Sequence, residues 1–319
     1  MNESVVGVVV TFNRLSLLKN CIASLKSQSR KLDQLIVVNN GSTDGTDSWL
    51  NEQQGLTVIH QENSGGAGGF HRGIKEAYES GYDWIWVMDD DCVASENCLE
   101  LMIASDRSKE ALCIAPLVIN NNGDVDIRHR GYFNLSPGMP SFQTSINAVN
   151  TTDILVDFAS FVGLMINRAA IEKVGFPIKE FFIHNDDIEY CLRLNQVSKI
   201  LLSTEAKIFH LENATNTDVQ KKFLNHYRHR TPIEKLWIKY YGIRNSVWIK
   251  RNYIYNGSIL KKASLFWFIT KSLSAHFKDI MLYDDHKYKR FSFYLNAYKD
   301  GWFEKFDNEK PKRILSSFK

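Results

Sequence analysis

The sequence predicts an α/β fold: a mostly parallel sheet flanked by helices, with a helical region at the C-terminal end. Three observations predict it. Strand-like and helix-like segments alternate from Val5 to Ile119, the order of a doubly wound sheet. Polar clusters follow the first four strands, where such sheets bind their ligands. The charge balance changes abruptly near residue 218. Residues 219–319 hold 22 Lys and Arg against 8 Asp and Glu, a net +14; residues 1–218 hold 17 against 28, a net −11. The chain therefore divides into a domain at 1–218 and a basic, aromatic-rich helical region at 219–319.

Each element has a local reason. Val5–Val10 is a continuous apolar run, as in a strand buried on both faces. Leu15, Leu18, Ile22 and Leu25 recur at helical spacing. Leu35–Val38 is a second strand, closed by the turn sequence Asn-Gly-Ser-Thr-Asp-Gly. Trp49 and Leu50 lie on a short helix, and Leu56–Ile59 is a third strand. A Gly-rich loop leads into a helix near Phe70–Glu79. Trp84–Met88 is a fourth strand ending in three aspartates, Ser95 with Glu96 opens a helix, and Ile114–Ile119 is a fifth strand. Residues 120–150 predict loops or a small meander. Asp153–Arg168 is strand-like, and a strand at Phe181–Ile183 meets a helix at Asp187–Gln196. Ile200–Leu202 and Lys207–Phe209 read as separate short strands, and a polar linker runs from His210 to about Arg230. Helices follow at 233–250, 258–283 and 288–306, and no internal repeat is visible.

Composition excludes several classes. With 44% hydrophobic and 24% charged residues, the 319-residue chain can bury a core, so disorder is excluded as its dominant state. Five cysteines without a CxxC pair argue for reduced thiols in a cytosolic setting. The sequence opens directly on a strand, which predicts no targeting segment, and no apolar run reaches the about 20 residues that span a bilayer. No RNA- or DNA-binding motif is visible, so nucleic acid is not an expected partner.

Four clusters could carry chemistry. Asp89-Asp90-Asp91 follows a buried strand; three like charges there suit a hard divalent cation, and in an extended stretch Asp89 and Asp91 would point to one side. Asn63–Gly73, with Gly65, Gly66 and Arg72, opens a helix after a strand and could cradle an anion. It is neither a dinucleotide fingerprint nor a P-loop, and Arg72 is otherwise a surface arginine. Thr11-Phe12-Asn13-Arg14 and Asn39–Gly45 end the first two strands, where Asp44 either caps the next helix or reads a nucleobase edge. Asp186 and Asp187 open a helix, as caps or with one carboxylate as general base, while Glu189 and Arg193 are spaced for a surface ion pair. His210 ends a strand and suits a metal ligand.

Taken together and in this order, these clusters resemble the family-2 glycosyltransferases, which have the nucleotide-sugar-binding GT-A fold. The resemblance covers roughly residues 5–210 and rests on Val-Val-Thr-Phe-Asn-Arg, Asn-Asn-Gly-Ser-Thr-Asp-Gly-Thr and the strand with three aspartates. A narrower resemblance is to galactofuranosyltransferases, carried by residues 63–73, 89–91, 186–190, His210 and Tyr-Tyr-Gly-Ile-Arg-Asn at 240–245. His184-Asn185 and Asn40 depart from the commoner pattern, which has an aromatic residue before the aspartates and Asp in place of Asn40.

The resemblance implies roles. Asp89, Asp91 and His210 would bind Mn²⁺ or Mg²⁺, and Asp90 would sit near the ribose or sugar. Thr11, Phe12, Arg14, Asn40 and Asp44 would line the uridine pocket; Gly65, Gly66 and Arg72 would contact diphosphate or sugar. Asp187 would be the catalytic base and Asp186 would orient a substrate. The implied activity is inverting transfer, with galactofuranose from UDP-galactofuranose as donor sugar. The implied acceptor is a glycan or polyprenyl-linked glycan in cell-surface polysaccharide assembly. A rhamnosyltransferase, or another family-2 enzyme with a dTDP- or UDP-linked donor, is the alternative. A non-catalytic glycan- or lipid-binding module is a third reading, against which the intact Asp89, Asp91, Asp187 and His210 argue. The basic tail, around Ile259–Ile280, suits either a peripheral helix on anionic lipid at the inner membrane face or packing and a homo-oligomer interface.

Overall fold

The computed structural model describes residues 3–104, 108, 110–135, 141–144, 153–211 and 218–316. The chain forms two compact units: Met1–Asn134, Ser141–Lys179 and Asp186–Asn213 in the first, and Leu135–Pro140, Glu180–Asn185 and Ala214–Lys319 in the second.

The first unit begins as alternation demands: β1 (Val5–Thr11), α1 (Leu15–Lys26), β2 (Gln34–Asn39), α2 (Thr46–Asn51), β3 (Thr57–His60), α3 (Gly65–Glu79) and β4 (Trp84–Asp89). Every residue of β1 is buried, and it pairs in parallel with β2 and β4, while β2 pairs in parallel with β3. Two glycines bring α3 close to this sheet. A Cβ on Gly69 would stand 2.5 Å from Val10 Cγ1, and one on Gly73 would stand 2.4 Å from Val8 Cγ1. The chain continues through β5 (Cys92–Ala94), α4 (Cys98–Ala104) and β6 (Cys113–Ile119). Next come β7 (Arg130–Asn134), β8 (Ser141–Thr144), β9 (Ile154–Val156), β10 (Phe158–Ala159), β11 (Leu164–Asn167) and α5 (Arg168–Val174). The unit closes with α6 (Asp186–Leu194) and β12 (Ile200–His210).

The main sheet runs β3-β2-β1-β4-β11-β6-β12-β5, with β9 also on β12. It is mixed where the sequence order alone suggested parallel strands. β11 lies between β4 and β6 and is antiparallel to both. The two short strands expected at 200–209 are one, with a register shift between Ser203 and Lys207. The meander expected at 120–150 is partly present, as β7 pairs with β8 and β10; residues 136–140 and 145–150 of that stretch lie outside the described ones. Apolar clusters cover both faces of the sheet. All five cysteines are buried and unpaired.

The second unit is helical with one hairpin. The polar linker expected up to Arg230 is, from Val219 onward, β13 (Val219–Phe223) paired with β14 (His226–Arg230). Its two-residue loop uses Leu224 at φ +51°. α7 (Trp237–Ile249), α8 (Ile259–Tyr283) and α9 (Lys287–Trp302) follow, and then α10 (Lys310–Ser316), which the sequence reading did not anticipate. Leu236, Tyr240, Ile280, Phe293, Tyr294 and Ala297 form its core. Leu265, Ile269 and Ile280 are the buried residues of α8, whereas Ile259 is 85% and Trp267 65% exposed. No helix among the described residues is long and apolar enough to cross a membrane.

Candidate active site

Four chain segments of the first unit meet at the carboxyl ends of β1, β4 and β12. The alternation argument for Asp89 and Asp91 does not carry through, because β4 ends at Asp89 and Asp90-Asp91 form a turn before β5. The carboxylates that share a partner are Asp90 and Asp91. Arg14 Nη1 lies 3.3 Å from Asp90 Oδ1 and 3.1 Å from Asp91 Oδ2. Thr11, the last residue of β1, donates its hydroxyl to Asp90 Oδ2 at 2.6 Å. Register explains the third partner. β12 pairs antiparallel with β5 so that His210 opposes Cys92, and Leu211 N donates to Asp91 O. His210 Nε2 therefore stands 3.4 Å from Asp91 Oδ2.

Crowding of charge shows in the titration of this turn. Burial, followed by the charges of Asp91 and Asp90, pushes the Asp89 carboxyl well above the usual range. Burial also raises Asp90, to about 6, against the opposing pull of Thr11 and Arg14. The neighbouring thiols of Cys21 and Cys92 are pushed well up, by burial first and then by aspartates, so neither is a thiolate nucleophile. A carboxylate oxygen and an imidazole nitrogen 3.4 Å apart suit two ligands of one ion at about 2.1 Å. The donor chemistry thus fits Mn²⁺ or Mg²⁺, with Arg14 as the internal counter-charge.

The second strand end is held by its own hydrogen bonds. Asn40 is buried, and its amide is spent on the adjacent loop. It donates to Gly65 O at 3.0 Å and accepts from Gln61 Nε2 at 2.8 Å and Ser64 N at 3.2 Å. Asp44 accepts from Leu15 N at 3.0 Å, capping α1, and from the Thr46 hydroxyl at 2.6 Å. Both residues hold the turn through these bonds. Phe12 is 42% exposed on the rim beside them.

The glycine run divides by role. Gly68, Gly69 and Gly73 leave no room for a Cβ and serve close packing. Gly65, at φ +75°, opens α3, and Gly66 faces open space. Arg72 lies in an i,i+4 pair with Glu76 at 3.1 Å on the helix surface.

Asp186 and Asp187 begin α6. Asp187 Oδ1 accepts its following amide, Ile188 N, at 2.7 Å. Among the described residues no lysine, arginine or histidine pairs with either carboxylate. Burial pushes both above the usual carboxylate range, and the charge of Asp187 pushes Asp186 further. Asp186 in turn contributes to the raised value of Asp89, which relates the two acidic groups electrostatically. The expected surface pair of Glu189 and Arg193 is instead interior. Glu189 is 1% exposed, and the guanidinium meets both of its oxygens at 2.7 Å while also bonding Phe176 O.

In the second unit, the segment before Asp186 is not the expected strand. A 3-10 turn at Lys179–Phe181 gives way to Phe182, His184 and Asn185 at φ +66°, +67° and +65°. Such conformations cost free energy and persist only where the surroundings impose them. Arg244 and Asn245 of α7, both fully buried, impose them here. Arg244 Nη2 donates to the carbonyls of Glu180 and Phe181, and Asn245 Nδ2 to those of Phe181, Ile183 and His184. The reading of the sequence singled out 240–245 without a role. Asp126, His129 and Ser160 were missed altogether; His129 packs on His210 with ring centroids 4.8 Å apart.

With this geometry in place, the sequence profile of glycosyl transferase family 2 matches residues 7–175. The chain belongs to glycosyl transferase family 2. Galactofuranosyltransferase GlfT1 of Mycolicibacterium smegmatis is 31% identical over 201 residues, 60% of this chain and 65% of that protein. GlfT1 of Mycobacterium tuberculosis is 32% identical over 203 residues, 61% of this chain and 65% of that protein. The match thus spans just under two thirds of the length of these relatives. Glycosyltransferase GlyG of Streptococcus pneumoniae is 29% identical over 131 residues, 40% of this chain and 41% of that protein. The structure of GalNAc-T7 with UDP, GalNAc and Mn²⁺ superposes with a TM-score of 0.59 at 12% identity, covering 98% of this chain and 58% of that one. That likeness identifies the fold as GT-A. The first unit of this family-2 chain places Thr11, Arg14, Asp89, Asp90, Asp91 and His210 on one rim, while Asn40 and Asp44 bond into the turns and Arg72 pairs along its helix.

Proposed function

We propose that the chain is an inverting, metal-dependent galactofuranosyltransferase that uses UDP-galactofuranose and a glycan or lipid-linked glycan acceptor. The observation that carries the reading is the pairing of a cation-type acidic turn with a separate, uncompensated carboxylate pair at Asp186 and Asp187. Likeness to the GlfT1 proteins supports the donor sugar, and the UDP and Mn²⁺ of the GalNAc-T7 structure support the ligand class.

On this reading Asp91 and His210, with Asp89 beside them, hold Mn²⁺ or Mg²⁺, which when bound offsets the charge that develops on the departing diphosphate. Arg14 adds a fixed positive group at the same place. The first turn of α3 at Gly66, where a Cβ would meet nothing within 4 Å, offers its backbone to an anion, while the Gly65 amide is bonded to Asn63 Oδ1. Phe12 presents an aromatic face to the uracil ring. Asp187 accepts the proton of the acceptor hydroxyl as that oxygen attacks the anomeric carbon. Asp186 holds a hydroxyl in line. A single displacement inverts the anomeric centre, so an α-linked donor yields a β-galactofuranoside.

The exposed Ile259, Leu260, Phe266 and Trp267 of α8, with Lys261, Lys262 and Lys271 among them, support peripheral contact with an anionic membrane. Lipid-linked acceptors reside at such a surface.

A donor panel tests the proposal: UDP-galactofuranose, other UDP-sugars and deoxythymidine-linked sugars, each with Mn²⁺ and with EDTA, on a galactoside primer carrying a lipid-like tail. Metal-dependent product from UDP-galactofuranose alone is the expected outcome. Product only from a deoxythymidine-linked sugar would replace the donor and favour the rhamnosyltransferase alternative.

A further inference from the structure

We propose that Asp126, His129 and His210 form a second cation site, rich in imidazole, that takes a transition-metal ion such as Zn²⁺ and draws His210 away from the acidic turn. The donor atoms of these three side chains all lie within 4.8 Å of one another. Local structure sets them up. Asp126 caps the 3-10 turn Ile127–His129, and in such a turn residues three apart share one side. His129 Nε2 accordingly stands 3.5 Å from Asp126 Oδ2. The other ring nitrogen, Nδ1, is held by Ser160 Oγ at 2.8 Å, the outer bond that usually fixes the orientation of a ligating histidine. The His210 ring lies against that of His129, and its Nε2 also adjoins Asp91.

The chemistry separates this site from the acidic turn. Two imidazoles and one carboxylate favour borderline-soft ions, whereas the turn offers oxygen-dominated ligation suited to Mg²⁺ or Mn²⁺. In its present state Asp126 is closed by Arg128, whose Nε and Nη2 lie 2.8 Å and 2.6 Å from its two oxygens. Arg128 is itself 58% exposed, so an entering cation displaces a solvent-facing guanidinium rather than an interior one. Zinc ligands at about 2.0–2.1 Å from the ion stand a little over 3 Å apart, so the three side chains close in on an ion by rotation once Arg128 leaves Asp126. One imidazole nitrogen serves one ion, so an ion taken by His210 Nε2, the nitrogen beside Asp91, removes His210 from the acidic turn. The site itself rests on the cluster; its inhibitory effect rests on the proposed transferase reading.

The test uses the full chain free of nucleotide, with Co²⁺ as the spectroscopic probe and Zn²⁺ as competitor. Wild type is expected to bind one equivalent of Co²⁺ with the intense visible bands of low coordination, and Zn²⁺ is expected to bleach them. His129→Gln should weaken binding at least about tenfold, while Mn²⁺-linked UDP binding stays at the wild-type level. Asp126→Asn, which keeps an oxygen for the cap of the 3-10 turn, should behave likewise and guards against a folding defect in the first variant. Absence of Co²⁺ binding by wild type, or unchanged spectra in both variants, would overturn the proposal. Micromolar Zn²⁺ should inhibit transfer by wild type and spare His129→Gln. Co²⁺ binding through His129 in a protein inactive with every donor would uphold the site and sink the transferase reading instead.

Discussion

The two carboxylate groups of the family-2 domain have the same residue type and opposite surroundings. Asp90 and Asp91 face a guanidinium at 3.3 and 3.1 Å, a hydroxyl at 2.6 Å and an imidazole at 3.4 Å. Asp186 and Asp187 have no cationic partner among the described residues, and burial raises both. Burial raises Asp89 and Asp90 as well, so what separates the groups is the offsetting partner: Arg14, Thr11 and His210 for the first and, among the described residues, no cation for the second. On the proposed reading that difference gives the cation to the first group and the acceptor proton to the second.

The largest expected effect lies on the proton side. Asp187→Asn should lower the transfer rate by about 10²–10⁴-fold, the usual worth of general-base help, in a protein whose circular dichroism matches wild type. Near-normal turnover would remove Asp187 from the chemistry. On the charge side, Asp91→Asn should cost about 10²–10³-fold, and raising Mn²⁺ should recover part of the loss, which it should not do for Asp187→Asn. Equal rescue of both variants would erase the distinction.

The pH profile sharpens the contrast. A base must be ionised, so a raised value means activity is lost as pH falls through a window above the ordinary carboxylate range. Burial, not the Asp186 charge, raises Asp187, so Asp186→Asn should leave this acid limb in place; a limb moved to lower pH would mean that the Asp186 charge sets it. The smallest effect is on stability. The folded pair retains protons that the unfolded chain has already lost, so wild-type stability falls as pH rises through that same window. Asp186→Asn should reduce this fall, leaving the share of Asp187, and raise the melting temperature at pH 7.5 by about 2–4 °C for each kcal/mol gained. A thermal melt of wild type and Asp186→Asn at pH 7.5 checks the sign; a lower melting temperature for the variant would contradict it.

Much of the first unit was legible because its strands are buried on both faces. Val5–Val10 and Trp84–Met88 are unmistakable as apolar runs and emerge within a residue of their expected ends. The direction of β11 was not legible, since periodicity reports which residues are buried and not which way a strand runs between its neighbours. The hairpin at Val219–Arg230 was hidden by its Lys, His and Arg content, and Leu224 in a left-handed turn carries none of the usual glycine signal. In the site, the three aspartates, Asp187 and His210 stood out as polar residues at strand and helix ends. Asn40 and the glycine run at 63–73 also stood out; the clamp that Asn40 makes on Gly65 and the close contact of Gly69 with Val10 were visible only in the fold. Asp126 and His129 gave no signal, because only the fold brings them beside His210.

The central claim is that one acidic group holds the cation and the other the proton. UDP titration by calorimetry, with and without Mn²⁺, on Asp91→Asn and Asp187→Asn tests it most directly. The account predicts that Asp187→Asn binds UDP with the full Mn²⁺ enhancement of wild type, and that Asp91→Asn loses that enhancement. Retention of the Mn²⁺ effect in Asp91→Asn, or its loss in Asp187→Asn, would contradict the assignment.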